Sequence, residues 1–202
     1  MSITVALTVF ALILPAELPD KTMVATLVLS TRFPGPAVWL GVCAGFAVQS
    51  AVAVAAGGLV SLLPGRIVHA VTAFMFALGA VLLLRAKQED VAEEERELTA
   101  ELADEPPRAS FRRAMLTSFA VLFAAEWGDL SQILTANFAA KYGDPIAVFL
   151  GAWCALALIA GLAVVTGRAL LRVVPLEWVR RLAAALFAAM AAVTGLEAAG
   201  VF

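Results

Sequence analysis

The sequence predicts an all-α membrane protein with six transmembrane helices, arranged as two inverted three-helix repeats. Three observations carry this prediction. Of the 202 residues, 62% are hydrophobic and only 15% are charged, against roughly half apolar and a quarter charged in an ordinary soluble domain. The apolar residues fall into six runs long enough to cross a bilayer, and the chain matches itself at a nearly fixed offset.

A transmembrane helix needs roughly 20 mostly apolar residues, and clusters of Pro, Gly and charge separate such runs. The first run, residues 3–30, lacks the basic start and small-residue cleavage site of a signal peptide, so it is expected to be retained. The second and third cover residues 37–62 and 67–85. An acidic stretch follows, closed by Pro106-Pro107; it holds nine of the sixteen acids, from Glu89 to Glu105. Such a charge run reads as a solvated linker or short surface helix and not as a site. The remaining runs are 112–138, 146–168 and 178–199, giving a first repeat over 1–86, a linker over 87–110 and a second repeat over 111–202.

Orientation follows from Lys and Arg, which are in excess in short cytoplasmic loops. With the N-terminus outside, eleven of the fourteen basic residues fall on the cytoplasmic side: Arg32, Arg85, Lys87, Arg96, Arg108, Arg112, Arg113, Arg168, Arg172, Arg180 and Arg181. Only Arg66 and Lys141 face outward, and Lys21 lies within the first run. The expectation is a multi-pass plasma (inner) membrane protein with both termini extracytoplasmic and the acidic linker inside. A single histidine and two cysteines exclude the usual zinc frameworks and a disulfide-stapled fold. No basic stripe interleaved with aromatics offers a nucleic-acid site. Homo-oligomerisation is left open.

Sliding the chain by 109 positions lays Thr8–Pro36 over Thr117–Pro145 without a gap. Ala16/Ala125, Glu17/Glu126, Asp20/Asp129, Thr26/Thr135 and Pro36/Pro145 are among the identities. An offset one or two residues larger aligns Gly41 with Gly151, Gly57 with Gly167, Pro64 with Pro175 and Phe76 with Phe187. Because three helices form an odd unit, the second copy must enter the membrane from the opposite side.

Charge inside the spans is concentrated at equivalent places. Counting about 1.5 Å per residue, Glu17 and Glu126 each lie roughly 21 Å into their runs, near mid-bilayer. Each has an acid three residues on, Asp20 and Asp129, so both pairs are expected to share one helical face. An ionised side chain at helix centre costs about 2.5–3.5 kcal/mol on insertion scales, so these acids must face one another, water or an ion. Pro19, reinforced by Pro15, should kink or break the first helix, and Gly128 weakens the fourth at the matching place. Thr22 and Thr26, matched by Ser131 and Thr135, continue the polar face, and Gln132, Asn137 and Gln49 add amide oxygens. The plainer reading makes the acids halves of structural ion pairs, one neutralised by Lys21, but three acids would then lack partners. Thr26, Thr135 and Asn137 serve equally well as path lining or as helix-to-helix contacts. Cys43, Cys154, His69 and Tyr142 are assigned no chemistry.

Carboxylates, hydroxyls and carbonyls are hard oxygen donors that suit calcium, manganese or magnesium, whereas copper and zinc recruit thiolate or imidazole. Crowded carboxylates rarely all ionise together, so a divalent cation and protons would compete for the same oxygens. That competition is a chemical basis for antiport. Ejecting a divalent cation against about 100 mV costs roughly 4.6 kcal/mol, which two entering protons would return.

Glu17-Leu18-Pro19-Asp20-Lys21-Thr22 and Glu126-Trp127-Gly128-Asp129-Leu130-Ser131-Gln132 resemble the two copies of Glu-x-Gly-Asp-(Lys/Arg)-(Ser/Thr) that mark the Gdt-type family of manganese and calcium cation/proton antiporters. The resemblance covers both halves and the acidic central loop. It implies two three-helix repeats with the motif acids forming the cation site, and a binding role for Glu17, Asp20, Thr22, Glu126, Asp129, Ser131 and Gln132. Lys21, Thr26, Gln49, Thr135 and Asn137 would line the path or support those ligands, with breaks at Pro19 and Gly128. Two departures stand out: Pro19 replaces the first motif glycine, and Leu130 replaces the second basic residue, leaving a more acidic site.

The function expected is secondary transport: export of Mn2+ or Ca2+ in exchange for protons, with no tightly bound cofactor and no catalytic residues. An exporter of small organic cations or amino acids would need a roomier apolar cavity beside the acids. An intramembrane aspartyl hydrolase would use one pair of acids sharing a water, whereas the repeat supplies two equivalent pairs.

Overall fold

The computed structural model describes residues 1–17, 21–85, 100, 110–166 and 176–200. Among these, all regular structure is helical. The described residues include eight helices of a turn or more: α1 (Ile3–Ala16), α2 (Lys21–Arg32), α3 (Gly35–Val60), α4 (Gly65–Arg85), α5 (Phe111–Ala125), α6 (Leu130–Tyr142), α7 (Pro145–Thr166) and α8 (Leu176–Ala199). The acidic segment and Pro19 fall outside the described residues, apart from Ala100.

Local chemistry sets the helix ends. Ser2 caps α1 by accepting the Val5 amide at 3.4 Å, and Ser110 caps α5 by accepting the Arg113 amide at 3.3 Å. Side-chain caps of this kind satisfy amides that the first helical turn leaves unpaired. Gly143 ends α6 with φ of 62°, a left-handed conformation that costs glycine little. Two residues later Pro145 opens α7, where its missing N–H is no loss. Asp144, between them, accepts the Ala147 amide at 3.1 Å.

Four stretches are long and apolar enough to cross a membrane: α3, α4, α7 and residues Arg181–Ala199 of α8. The runs 3–30 and 112–138 are each divided into two helices of about half that length, α1 with α2 and α5 with α6. Pro15 is tolerated in the last turn of α1, which ends one residue later.

α3 packs against α2, α5, α6 and α7, while α7 packs against α1, α2, α3 and α6. These two helices therefore clasp all four half-length helices. The α4 and α8 helices pack along one another beside this group. There Phe76 and Phe187, both fully buried, meet edge to face with centroids 5.6 Å apart and planes at 86°.

Several contacts recur between corresponding residues. A methyl group added at Gly41 would collide with the Met115 carbonyl of α5, and one at Gly151 would collide with the Ala6 carbonyl of α1. Met115 lies 109 positions after Ala6, and Gly151 lies 110 after Gly41. In lipid, where no solvent drives apolar helices together, close backbone approach through small residues is a main source of cohesion. Indole hydrogen bonds add to it: Trp39 donates to the Ala157 carbonyl at 3.0 Å, and Trp153 to the Cys43 carbonyl at 2.9 Å, both between α3 and α7.

Candidate metal centre

The two interruptions deliver the acids. Glu17 closes α1 and Glu126 closes α5, each donating its amide back into the last turn, to the Ile13 carbonyl at 3.1 Å and the Leu122 carbonyl at 3.0 Å. Gly128 then takes φ of 79°, and Asp129 starts α6 with extended backbone. Glu126 and Asp129 consequently stand at the two ends of a tight turn, closed by the Asp129 amide on the Glu126 carbonyl at 3.3 Å. This differs from the shared helical face that their spacing predicts. The positive φ at Gly128 interrupts the helix between them, and the spacing of three survives as a turn.

Glu17, Glu126 and Asp129 each place a carboxylate oxygen within 4.8 Å of the other two. Glu17 and Glu126 are almost fully buried, at 2% and 3% exposure. Oxygens on opposite sides of a calcium-sized ion at about 2.3–2.6 Å are separated by roughly 4.6–5.2 Å, so one cation could touch all three carboxylates. Asp20 lies outside the described residues, as does the side chain of Lys21.

The hydroxyl groups and amides arrange around this cluster. Thr22, fully buried on α2, donates to Glu17 Oε2 at 3.0 Å and so joins the two half-helices across the first break. Thr26 and Thr135 donate to carbonyls four residues back, those of Thr22 at 2.8 Å and Ser131 at 2.7 Å. Their oxygens keep lone pairs for a further donor or cation. Gln132 Oε1 accepts the Gly128 amide at 2.7 Å, bracing the second turn. Gln49 on α3 donates Nε2 to the Phe123 carbonyl at 3.1 Å, one of the carbonyls that the end of α5 releases.

Gln49, Ser50, Ser131, Gln132, Thr135 and Leu156 line a partly open cavity of about 10 Å³, roughly what one water molecule or one ion needs. Asn137 instead turns to α4, accepting from Thr72 at 3.4 Å and donating to the Ile133 carbonyl at 2.8 Å. Ser50 is a site residue that the sequence argument passes over. Its signal is a hydroxyl beside Gln49 in an otherwise apolar run. Leu156 carries no such signal.

The sequence pattern that defines the family described as divalent cation/proton antiporter GDT1 matches the chain twice, over residues 5–91 and 114–201. The chain belongs to the GDT1 family. A GDT1-like protein of Synechocystis sp. is 32% identical over 169 residues, spanning 78% of this chain and 82% of that relative. Two proteins called GDT1-like protein 5, from Oryza sativa subsp. japonica and Arabidopsis thaliana, are each 28% identical and span 77% of this chain, with 78% and 79% of their own lengths covered. No solved structure matches the chain. GDT1 is a family of transporters, so the protein is a membrane-embedded cation transporter and not an enzyme. Its three clustered carboxylates lie within the two matched regions.

Proposed function

We propose that this GDT1 protein exports a hard divalent cation, Mn2+ or Ca2+, across the plasma (inner) membrane in exchange for protons. The observation that carries the reading is the convergence of Glu17, Glu126 and Asp129 within 4.8 Å at two facing helix breaks. Asp20, which corresponds to Asp129 in the first motif, completes the acidic set, and Thr22 and Ser131 contribute hydroxyl oxygens. In this reading α1 with α2, and α5 with α6, each make one crossing, giving six crossings in two inverted repeats with both termini extracytoplasmic. The contacts of Gly41 with α5 and of Gly151 with α1 support the equivalence of the halves.

The chemistry is competition. A divalent cation gathers the carboxylates around itself, and protons arriving from the outer side neutralise them and release it. Exchange with two protons would be electroneutral. Inverted repeats provide the access change, because trading the conformations of the two halves turns an outward-open form into an inward-open one. The hydrogen bond from Thr22 to Glu17 couples α2 to the charge state of α1. A cavity of about 10 Å³ favours a bare or singly hydrated ion over an organic cation.

The test is Glu126→Gln in proteoliposomes. Wild type should move protons when a Mn2+ gradient is imposed, and the variant should fall at least about a hundredfold, to background, while unfolding at a similar temperature. Undiminished exchange by the variant removes Glu126 from the mechanism. Cation affinity should also weaken as pH falls, since protons and metal share oxygens. Titrating Mn2+ binding at several pH values measures that slope.

A further inference from the structure

Three of the equivalent positions near the two breaks carry different chemistry. At the second break Gln132 of α6 faces Gln49 of α3, its Nε2 donating to the Gln49 carbonyl at 3.5 Å. The corresponding residues, offset by 109 and 110, are Met23 of α2 and Ile159 of α7. Those two pack with Ala163 and Leu14 in a buried apolar cluster. Ser50 likewise corresponds to Ala160. The other hydroxyls are shared, with Thr22 and Thr26 matching Ser131 and Thr135, but where one face has the amides of Gln49 and Gln132 the other has hydrocarbon and a thioether.

Gln49 is the residue that makes the difference. It is 5% exposed, and burying an amide in a membrane span is unfavourable unless it is bonded. The bond from Nε2 to the Phe123 carbonyl fixes the orientation of the amide. That leaves Oε1 as the polar atom Gln49 can offer to the cavity it lines with Ser131 and Gln132, which follow Asp129 by two and three residues in sequence. Neutral amide oxygens are ordinary ligands of hard divalent cations.

We propose that Gln49 is a cation-positioning residue on one face only: its Oε1 meets the divalent cation beside the carboxylates, with Phe123 holding the amide in place. On the α2/α7 face the equivalent position is Ile159, whose side chain offers no oxygen. The cation's path through the centre is then chemically one-sided, with amides at Gln49 and Gln132 on one face and the apolar side chains of Ile159 and Met23 at the equivalent positions of the other.

This inference rests on the cation-transport reading above. Its test uses the full-length protein in proteoliposomes with Mn2+ as the probe, comparing wild type, Gln49→Met and Gln49→Glu. Gln49→Met keeps the volume and removes both polar atoms. It should raise KM for Mn2+ about tenfold while leaving the maximal rate little changed, the loss expected for one well-made polar contact. Gln49→Glu keeps the oxygen but loses the donor to Phe123. It should bind Mn2+ at least as well as wild type, and its exchange should depend more steeply on pH because one more carboxyl titrates. An unchanged KM in Gln49→Met overturns the inference, as does a Gln49→Glu protein no better than Gln49→Met. If wild-type vesicles exchange no divalent cation at all, the transport reading itself fails and takes Gln49 with it.

Discussion

Thr22 shows how much a single hydroxyl can set. Fully buried, it donates a hydrogen bond to Glu17 at 3.0 Å, and it belongs to a different helix from the acid it serves. Thr22→Val preserves shape and removes the donor. A hydrogen bond to a charged group contributes roughly 1.5–3 kcal/mol, so Mn2+ should bind about tenfold or more weakly, or with altered pH dependence, as measured by metal-dependent thermal stabilisation. Gly128 is demanding for another reason. Its φ of 79° is a conformation that costs other residues about 1–2 kcal/mol, so Gly128→Ala should destabilise the fold by that order, and transport should fall further because the turn aims Glu126 and Asp129. Equilibrium unfolding in detergent and exchange assays on the same preparation separate the two effects. At this scale the sequence is informative about identity and less so about placement. Acids in an apolar run announce themselves, and Glu17, Glu126 and Asp129 do converge. That Glu126 and Asp129 flank a turn depends on the conformation of Gly128, which the spacing of the acids does not encode.

At the scale of helices, closeness is set by what is missing from the side chains. Gly41 and Gly151 seat α3 and α7 against the backbones of α5 and α1, so a methyl group at either must push two helices apart. Gly41→Ala and Gly151→Ala should each lower stability by about 1–3 kcal/mol, whereas Gly58→Ala, with nothing within 4 Å of the added carbon, should be neutral or stabilising by up to about 1 kcal/mol. A panel of the three in one detergent tests the contrast. The boundaries of α3, α4 and α7 lie within two residues of the apolar runs 37–62, 67–85 and 146–168, because length and hydropathy dictate them. Division of the other two runs is foreshadowed by Pro19 and Gly128. The hydrogen bond from Gln49 to Phe123 is not, since it depends on how far α3 slides along α5, and apolar periodicity leaves that register undetermined.

Across the whole molecule the two halves are tied at their edges as well as at the centre. Asp144, in the link between α6 and α7, accepts the Ser2 amide at 2.6 Å, fastening the start of α1 to the second half. The amides of Ser2 and then Ala147 hold the Asp144 carboxyl below its usual range. A carboxyl lowered in the folded state adds stability above its unfolded value, near 3.8, and loses that contribution as pH falls through the folded value. The wild-type protein should therefore lose thermal stability on acidification below about pH 4 more steeply than Asp144→Ala does; parallel curves would dismiss the tether. At another edge Lys141 of α6 meets Glu197 of α8 at 2.7 Å, with His69 of α4 at 3.6 Å from the same carboxylate. The sequence places Arg66 and Lys141 on one side of the membrane, yet nothing in its pattern connects either to α8. Links this distant are products of the assembled shape, legible only once the helices are in place.

The edge-to-face meeting of Phe76 and Phe187 has a geometric consequence. The two phenylalanines are repeat counterparts, but a T-shaped pair cannot treat its members alike: one ring presents its rim and the other its π-cloud. Should the halves trade conformations during transport, the rings would have to trade these parts, like a seesaw whose pivot stays put while its ends change places. Fluorine labels on the two rings would then exchange their ring-current shifts between the outward-open and inward-open forms, reporting the motion from the seam where α4 and α8 pack.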